Sequence, residues 1–174
     1  MKDPKLTAAQ MGRISVQEYA ASAESGVVVV LDNVRSAHNV GSAFRSSDAF
    51  KVDKVYLCGI CAVPPSAEIH KTALGAELSV PWEHRADTIS LVEELRASGY
   101  TVVAVEQTVN SMKLNDFKRD PQRRYAFIFG NEVEGVAQDV VDEADFSLEI
   151  PQYGTKHSLN VSVSVGVILW QASL

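Results

Sequence analysis

Residues 150–166, IPQYGTKHSLNVSVSVG, are the stretch whose reading decides the fold. A polar, glycine-containing loop stands directly before an apolar run, and a loop so placed reads as part of a site. Two earlier segments look built to meet it: Asn39-Val-Gly-Ser-Ala-Phe-Arg45 and Gly130-Asn-Glu-Val-Glu-Gly135. The run that follows the loop is ambiguous on local grounds. Val161, Val163, Val165 and Val167 alternate with small residues, which by periodicity favours a strand. Its length, and Ser158 as a capping residue, favour a helix.

Outward from that stretch, the chain alternates apolar runs with helical patterns. Gly26 opens VVVVLD, a continuous β-branched run of the kind buried on both faces of a parallel sheet. Asn39 is placed to cap a helix through about Phe50, with Val40, Ala43, Phe44 and Phe50 as its apolar stripe. Residues 54–59 read as a second strand. Pro64-Pro65 makes 60–77 mostly irregular, and 77–82 is expected to be a third strand. Asp87 caps a helix that stops at Gly99; strands follow at 101–106, 125–129 and 146–150, with a helix at 136–143. Residues 1–25 read as a short N-terminal extension with a helical piece around 16–23, and 26–174 as the one domain. The alternation implies an α/β fold: a mostly parallel sheet with helices on both faces. Ligands of such sheets bind beyond the C-terminal strand ends, where all three quoted segments lie.

Composition narrows the class without naming a function. At 174 residues, 46% apolar and 22% charged, the chain has an ordinary globular profile. No apolar run reaches the roughly 18 residues that span a bilayer. The start, MKDPKLTAAQ, lacks the apolar core of a signal peptide, and there are two cysteines, so a cytoplasmic protein with no membrane partner is expected. A net charge of −6 argues, taken alone, against a nucleic-acid partner. Distribution qualifies this, because 113–124 holds five basic and two acidic side chains, and Arg35, Arg45, Lys51 and Lys54 gather around the first motif. Cys58-Gly-Ile-Cys61 has neither the helix N-terminus of a redox pair nor two further ligands for zinc, so no metal is expected.

Taken together, LDNVRSAHNVGSAFRSSDAF (31–50), FGNEVEGV (129–136) and IPQYGTKHSLNVSVSVG (150–166) resemble the SpoU, or TrmH-like, family of RNA 2′-O-ribose methyltransferases of the SPOUT superfamily. Asn39, Gly41 and Arg45 supply the family's Asn-x-Gly-x-x-x-Arg, and the likeness runs from about Val27 onward. It implies a C-terminal trefoil knot, which would make the last run a buried helix. It also implies S-adenosylmethionine as cofactor, RNA as substrate and a homodimer; tRNA is placed ahead of rRNA because recognition by shape suits a compact RNA. By motif position, Gly130, Ile150 and Leu159 would contact the cofactor, with Glu106 beside the same crevice. Arg45 would be central to the chemistry, with Asn39, Glu132, Ser158 and Asn160 around it. A guanidinium is a poor general base, so Arg45 is expected to bind the adjacent phosphate and stabilise a developing alkoxide.

Each of these residues also has a plainer reading. Asn39 and Ser158 are adequate as helix caps. Arg45 could pair with Asp48 along its helix. Glu132 in a glycine-rich turn is by default solvated. Asn160, between Leu and Val, reads as a buried amide in need of partners. Two other functions compete with the enzyme: an RNA-binding or assembly factor without catalysis on the same fold, and an unknotted nucleotide-binding α/β protein. The second lacks a phosphate loop and leaves the C-terminal motif unexplained.

Overall fold

Six consecutive buried residues, Val27–Asp32, form β1. In the computed structural model, which describes residues 3–22 and 24–174, β1 lies inside a seven-stranded sheet. The other strands are β2 (Lys54–Cys58), β3 (Trp82–Arg85), β4 (Tyr100–Val105), β5 (Met112–Lys113), β6 (Arg124–Phe129) and β7 (Phe146–Glu149). Their spatial order is β3-β2-β1-β6-β4-β7-β5, and every pairing between them is parallel. Among the described residues seven α-helices accompany them: α1 (Val16–Ala21), α2 (Ala37–Ala49), α3 (Ala67–Ala73), α4 (Ala76–Ser79), α5 (Thr88–Ala97), α6 (Gln138–Glu143) and α7 (Val161–Ala172).

The alternation of side chains along β1 builds two cores from one strand. Val27, Val29 and Leu31 face Phe44 of α2, Ile69 of α3 and Ile168 of α7. Val28 and Val30 face Leu91, Val92 and Leu95 of α5 and Val140 of α6. Helices therefore cover both faces, which is why the run tolerates no polar residue before Asp32. Tyr19 of α1 is buried as well, its hydroxyl donating to the Val52 carbonyl at 2.7 Å. Position 23, the end of the helical piece expected at 16–23, lies outside the described residues.

Four local expectations are corrected. Asn39 does not cap α2; Ser36 does, its Oγ accepting from the Asn39 N–H at 3.3 Å. Asn39 sits one turn inside the helix, and its amide is free to point elsewhere. Ser158 does not cap α7; Asn160 does, through its Oδ1 and the Ser162 N–H at 2.9 Å. Residues 60–77 are not mostly irregular, because Ser66 directly after the two prolines caps α3. The helix α4 occupies part of the segment expected as a third strand, so β3 begins only at Trp82. The valine alternation at 161–167 is helical. Val165, Ile168, Leu169 and Ala172 recur at helical spacing on the buried face that packs on α2.

Candidate active site

Three loops at the C-terminal ends of β1, β6 and β7 converge, and hydrogen bonds join them. The Glu132 carboxylate accepts from the Arg35 N–H at 2.9 Å, the Ser36 N–H at 3.0 Å and Asn39 Nδ2 at 3.0 Å. Asn39 Oδ1 then accepts from Asn160 Nδ2 at 3.1 Å. Asn160 Oδ1 accepts from the backbone and hydroxyl of Ser162. A carboxylate can only accept, so Asn39 must turn its NH₂ to Glu132, and each following amide orientation is then dictated. Burial alone would raise the Glu132 pKa, but the donors of Arg35, Asn39 and Ser36 outweigh it and hold the group below its ordinary value.

Beneath this chain lies a crevice of about 500 Å³. Val105, Phe129, Leu148, Ile150 and Leu159 give it apolar walls; the 130–135 backbone forms one side. Four glutamates, Glu106, Glu132, Glu134 and Glu149, are among its lining residues and neither Lys nor Arg is, although Glu149 pairs with Lys113. All four residues expected to contact a cofactor, Gly130, Ile150, Leu159 and Glu106, line this crevice, as do Glu132, Ser158 and Asn160. Asn160 is exposed rather than buried, which corrects the reading from its apolar neighbours; its partners are Asn39 and Ser162. Glu132 is not merely solvated, since three donors occupy it.

Arg45 stands apart from this crevice. Six residues beyond Asn39, it points about 120° away around α2 and lies about 9 Å along the axis. It lines a different groove, between α2 and α3, and no ion pair with Asp48 forms among the described residues.

The turn at 130–136 explains its glycines by crowding. A Cβ on Gly130 would fall 2.0 Å from the Gly135 carbonyl carbon and the Val136 nitrogen. Gly135 has φ +72° and leaves room for Glu106 Oε2, which accepts from the Val136 N–H at 3.0 Å. Glu106 also accepts from the Gln107 N–H at 2.8 Å, so its carboxylate holds the rim of the crevice as well as lining it. Two contributors escaped the sequence reading. Asn131, buried, donates to the Asn33 carbonyl at 2.8 Å and organises the turn through Oδ1; an Asx residue opening a turn was the available signal. Gln107 donates to the His157 carbonyl at 2.7 Å and tethers the 151–160 loop; nothing local marks it.

Two other sequence features are structural. Burial pushes the Cys58 thiol up to about 12 and Cys61 up to about 11, and Cys61 is hydrogen-bonded to Leu31 and Val34. In the basic stretch, Lys113 pairs with Glu149, Arg123 with Asp120, Arg119 reaches Ser25 and Ala172, and Arg124 meets the Tyr100 hydroxyl. Most of its charge is thus spent inside the molecule. Among the described residues no helix is long and apolar enough to cross a membrane.

Fold and site define an α/β protein with a parallel sheet and an acidic, apolar-walled ligand crevice assembled from three strand-end loops. More particularly, residues 26–170 match the family model for the SpoU rRNA Methylase family, and the chain belongs to that family. It is 33% identical over 152 residues to a 23S rRNA (guanosine-2′-O-)-methyltransferase of Nitrosomonas europaea, covering 85% of this chain and 56% of that protein. It is 30% identical over 158 residues to a tRNA (guanosine(18)-2′-O)-methyltransferase of Aquifex aeolicus, covering 90% and 73%. An AdoMet-bound rRNA methyltransferase structure from Sinorhizobium meliloti superposes with a TM-score of 0.79 at 27% identity, over 88% of this chain and 59% of that one. The chain spans 56% to 61% of the length of the first relatives it matches.

Proposed function

We propose that this chain transfers a methyl group from S-adenosylmethionine to a ribose 2′-hydroxyl of structured RNA. The observation that carries the proposal is the hydrogen-bonded chain Glu132–Asn39–Asn160, which ties the three motif segments together at the lip of the crevice. The crevice fits the cofactor in size, in its apolar walls and in its charge. A lining with more glutamates than cations suits a sulfonium and an ammonium and repels the phosphates of a dinucleotide.

The bound cofactor supplies a methyl group on a strong electrophile. What remains for the protein is alignment of the hydroxyl and management of its charge. Ile150 and Leu159 would hold the adenine side, and the exposed backbone of Gly130 would approach it closely. Asn160 and Ser158 border the place where a ribose must enter, and Glu132 holds Asn39 and Asn160 in register. The acidic crevice offers no cation for the neighbouring phosphate, and Arg45 of the same copy faces away from it. A homodimer in which each copy presents Arg45 to its partner's crevice would supply that cation. An apolar strip on α7, with Val163 half exposed and Trp170 58% exposed, is a suitable contact face. The expected knot belongs to the same reading, supported by the return of the chain from β7 through 151–160 to α7, which packs on α2 and touches β6.

We place tRNA ahead of rRNA as substrate, because recognition by shape suits a compact RNA, and we assign the activity to the cytoplasm. The test is transfer from labelled S-adenosylmethionine to unmodified tRNA and 23S rRNA transcripts, followed by digestion to nucleosides. A 2′-O-methylnucleoside is expected. Arg45→Lys is expected to lose about 10²-fold in turnover, because one ammonium cannot replace a bidentate fork. Cofactor binding with no methyl on either RNA would leave an inactive RNA-binding factor on the same fold. Near-normal turnover by Arg45→Lys would remove the bidentate role.

A further inference from the structure

The groove between α2 and α3, about 530 Å³, is distinct from the cofactor crevice. Arg45, Ser42 and Ser46 line it from α2 and Lys71 from α3, with Phe50 and Leu74, the residues that follow the two helices. No carboxylate lines it. Neither the Arg45 nor the Lys71 side chain makes an ion pair or hydrogen bond among the described residues. Many other cations of this acidic chain are engaged by carboxylates, as with Arg85 on Glu83 and Glu94, Arg96 on Glu143 and Lys113 on Glu149. Two cations lining one groove that holds no carboxylate, in a chain of net charge −6, make a local positive surface.

Leu74 adds an independent observation. It ends α3 in the left-handed region at φ +54°, a position that ordinarily takes glycine, yet it is a leucine 65% exposed at the groove. A bulky side chain is kept there against backbone strain and without burial. With Phe50 it gives the groove an apolar surface beside the two cations.

We propose that the α2–α3 groove binds a nucleotide of the substrate RNA adjacent to the methylated one, with Arg45 and Lys71 on its phosphate and Leu74 and Phe50 against its sugar and base. The proposal rests on the RNA methyltransferase reading above. With no amide or carboxylate to read a base edge, the contact is independent of sequence and serves to position the strand.

The test uses Lys71→Ala, Lys71→Arg and Leu74→Gly in the full chain. Binding of a fluorescein-labelled, unmodified tRNA transcript is followed by anisotropy across a salt series, alongside methyl transfer and S-adenosylmethionine calorimetry. Lys71→Ala is expected to weaken RNA binding about 10-fold and to lower the salt slope by about 1, with Lys71→Arg restoring both and cofactor affinity unchanged. Leu74→Gly is expected to raise KM for RNA several-fold while the melting temperature holds or rises, since glycine suits that φ. Unchanged RNA affinity, slope and KM in Lys71→Ala and Leu74→Gly, with a wild type that methylates RNA, would overturn the groove alone. RNA binding that depends on Lys71 without any methyl transfer would keep the groove and overturn the activity. A wild type that binds no RNA would overturn both.

Discussion

At the residue scale, the site is a problem of donors and acceptors. Glu132 is the origin of the chain, because an acceptor-only group dictates how both asparagine amides turn. Its pKa is depressed, so its stabilisation is fully present above the unfolded glutamate pKa and is lost as pH falls through the lower folded value. Glu132→Gln is expected to cost about 1 kcal/mol at pH 7, the low end for such bonds because the carboxylate is at the surface. The gap to wild type should close as pH falls below about 4, as urea titrations at two pH values would reveal. Gly130→Ala belongs to the same scale. Its Cβ would strike main chain, which cannot rotate away, so a loss of about 3 kcal/mol or more is expected by thermal unfolding, before any question of cofactor contact.

Elements position these residues through their ends and their closest approaches. The N-terminus of α7 is held by Asn160, so one side chain both caps the helix and reaches Asn39. Asn160→Asp keeps the cap but places an acceptor against the Asn39 oxygen. It is expected to retain most of the stability that Asn160→Ala loses, about 1 kcal/mol, while sharing its loss of methyl transfer. Comparing melting temperatures with turnover for the two variants separates capping from site geometry. Between α2 and α3 the critical position is Gly41, where a Cβ would lie 2.1 Å from Thr72 Oγ1 and 2.3 Å from the Ile69 carbonyl. The glycine in Asn-x-Gly-x-x-x-Arg thus has a packing reason. Gly41→Ala is expected to destabilise by about 1–3 kcal/mol and to disturb the groove that carries Arg45 and Lys71.

For the whole molecule, charge is sorted by location. Carboxylates line the crevice, the unpaired Arg45 and Lys71 face the α2–α3 groove, and most cations of 113–124 are consumed internally. That separation is what makes a second copy necessary to the proposed chemistry. If α7 forms the contact, Trp170→Glu is expected to give a folded monomer, by light scattering, that still binds cofactor but has lost methyl transfer. Mixing Arg45→Ala with Asn160→Ala is a sharper version. Random reassortment into dimers would restore about a quarter of wild-type activity, one intact site in half of the dimers. No recovery on mixing would place Arg45 and Asn160 in one copy's site.

The sequence by itself determined the class of fold, the central strands of the sheet and the segments that meet. VVVVLD could be satisfied only between two apolar layers, and the three motifs fall at strand ends because helices and strands alternate. It also marked Gly130, Ile150, Leu159, Glu106, Glu132, Ser158 and Asn160, which the structure brings to one crevice. Only the tertiary structure decided the rest. Local periodicity left 161–167 open, and packing of Val165, Ile168 and Leu169 against α2 and the sheet makes it a helix. Capping propensity is shared by Ser36, Asn39, Ser158 and Asn160. Which of them caps is decided by where each helix begins, and Glu132, more than ninety residues from Asn39, then engages the Ser36 N–H and the Asn39 amide. The companionship of Arg45 with Lys71 and Leu74 follows from how closely Gly41 lets α3 approach α2. These are long-range contacts, and no local pattern encodes them.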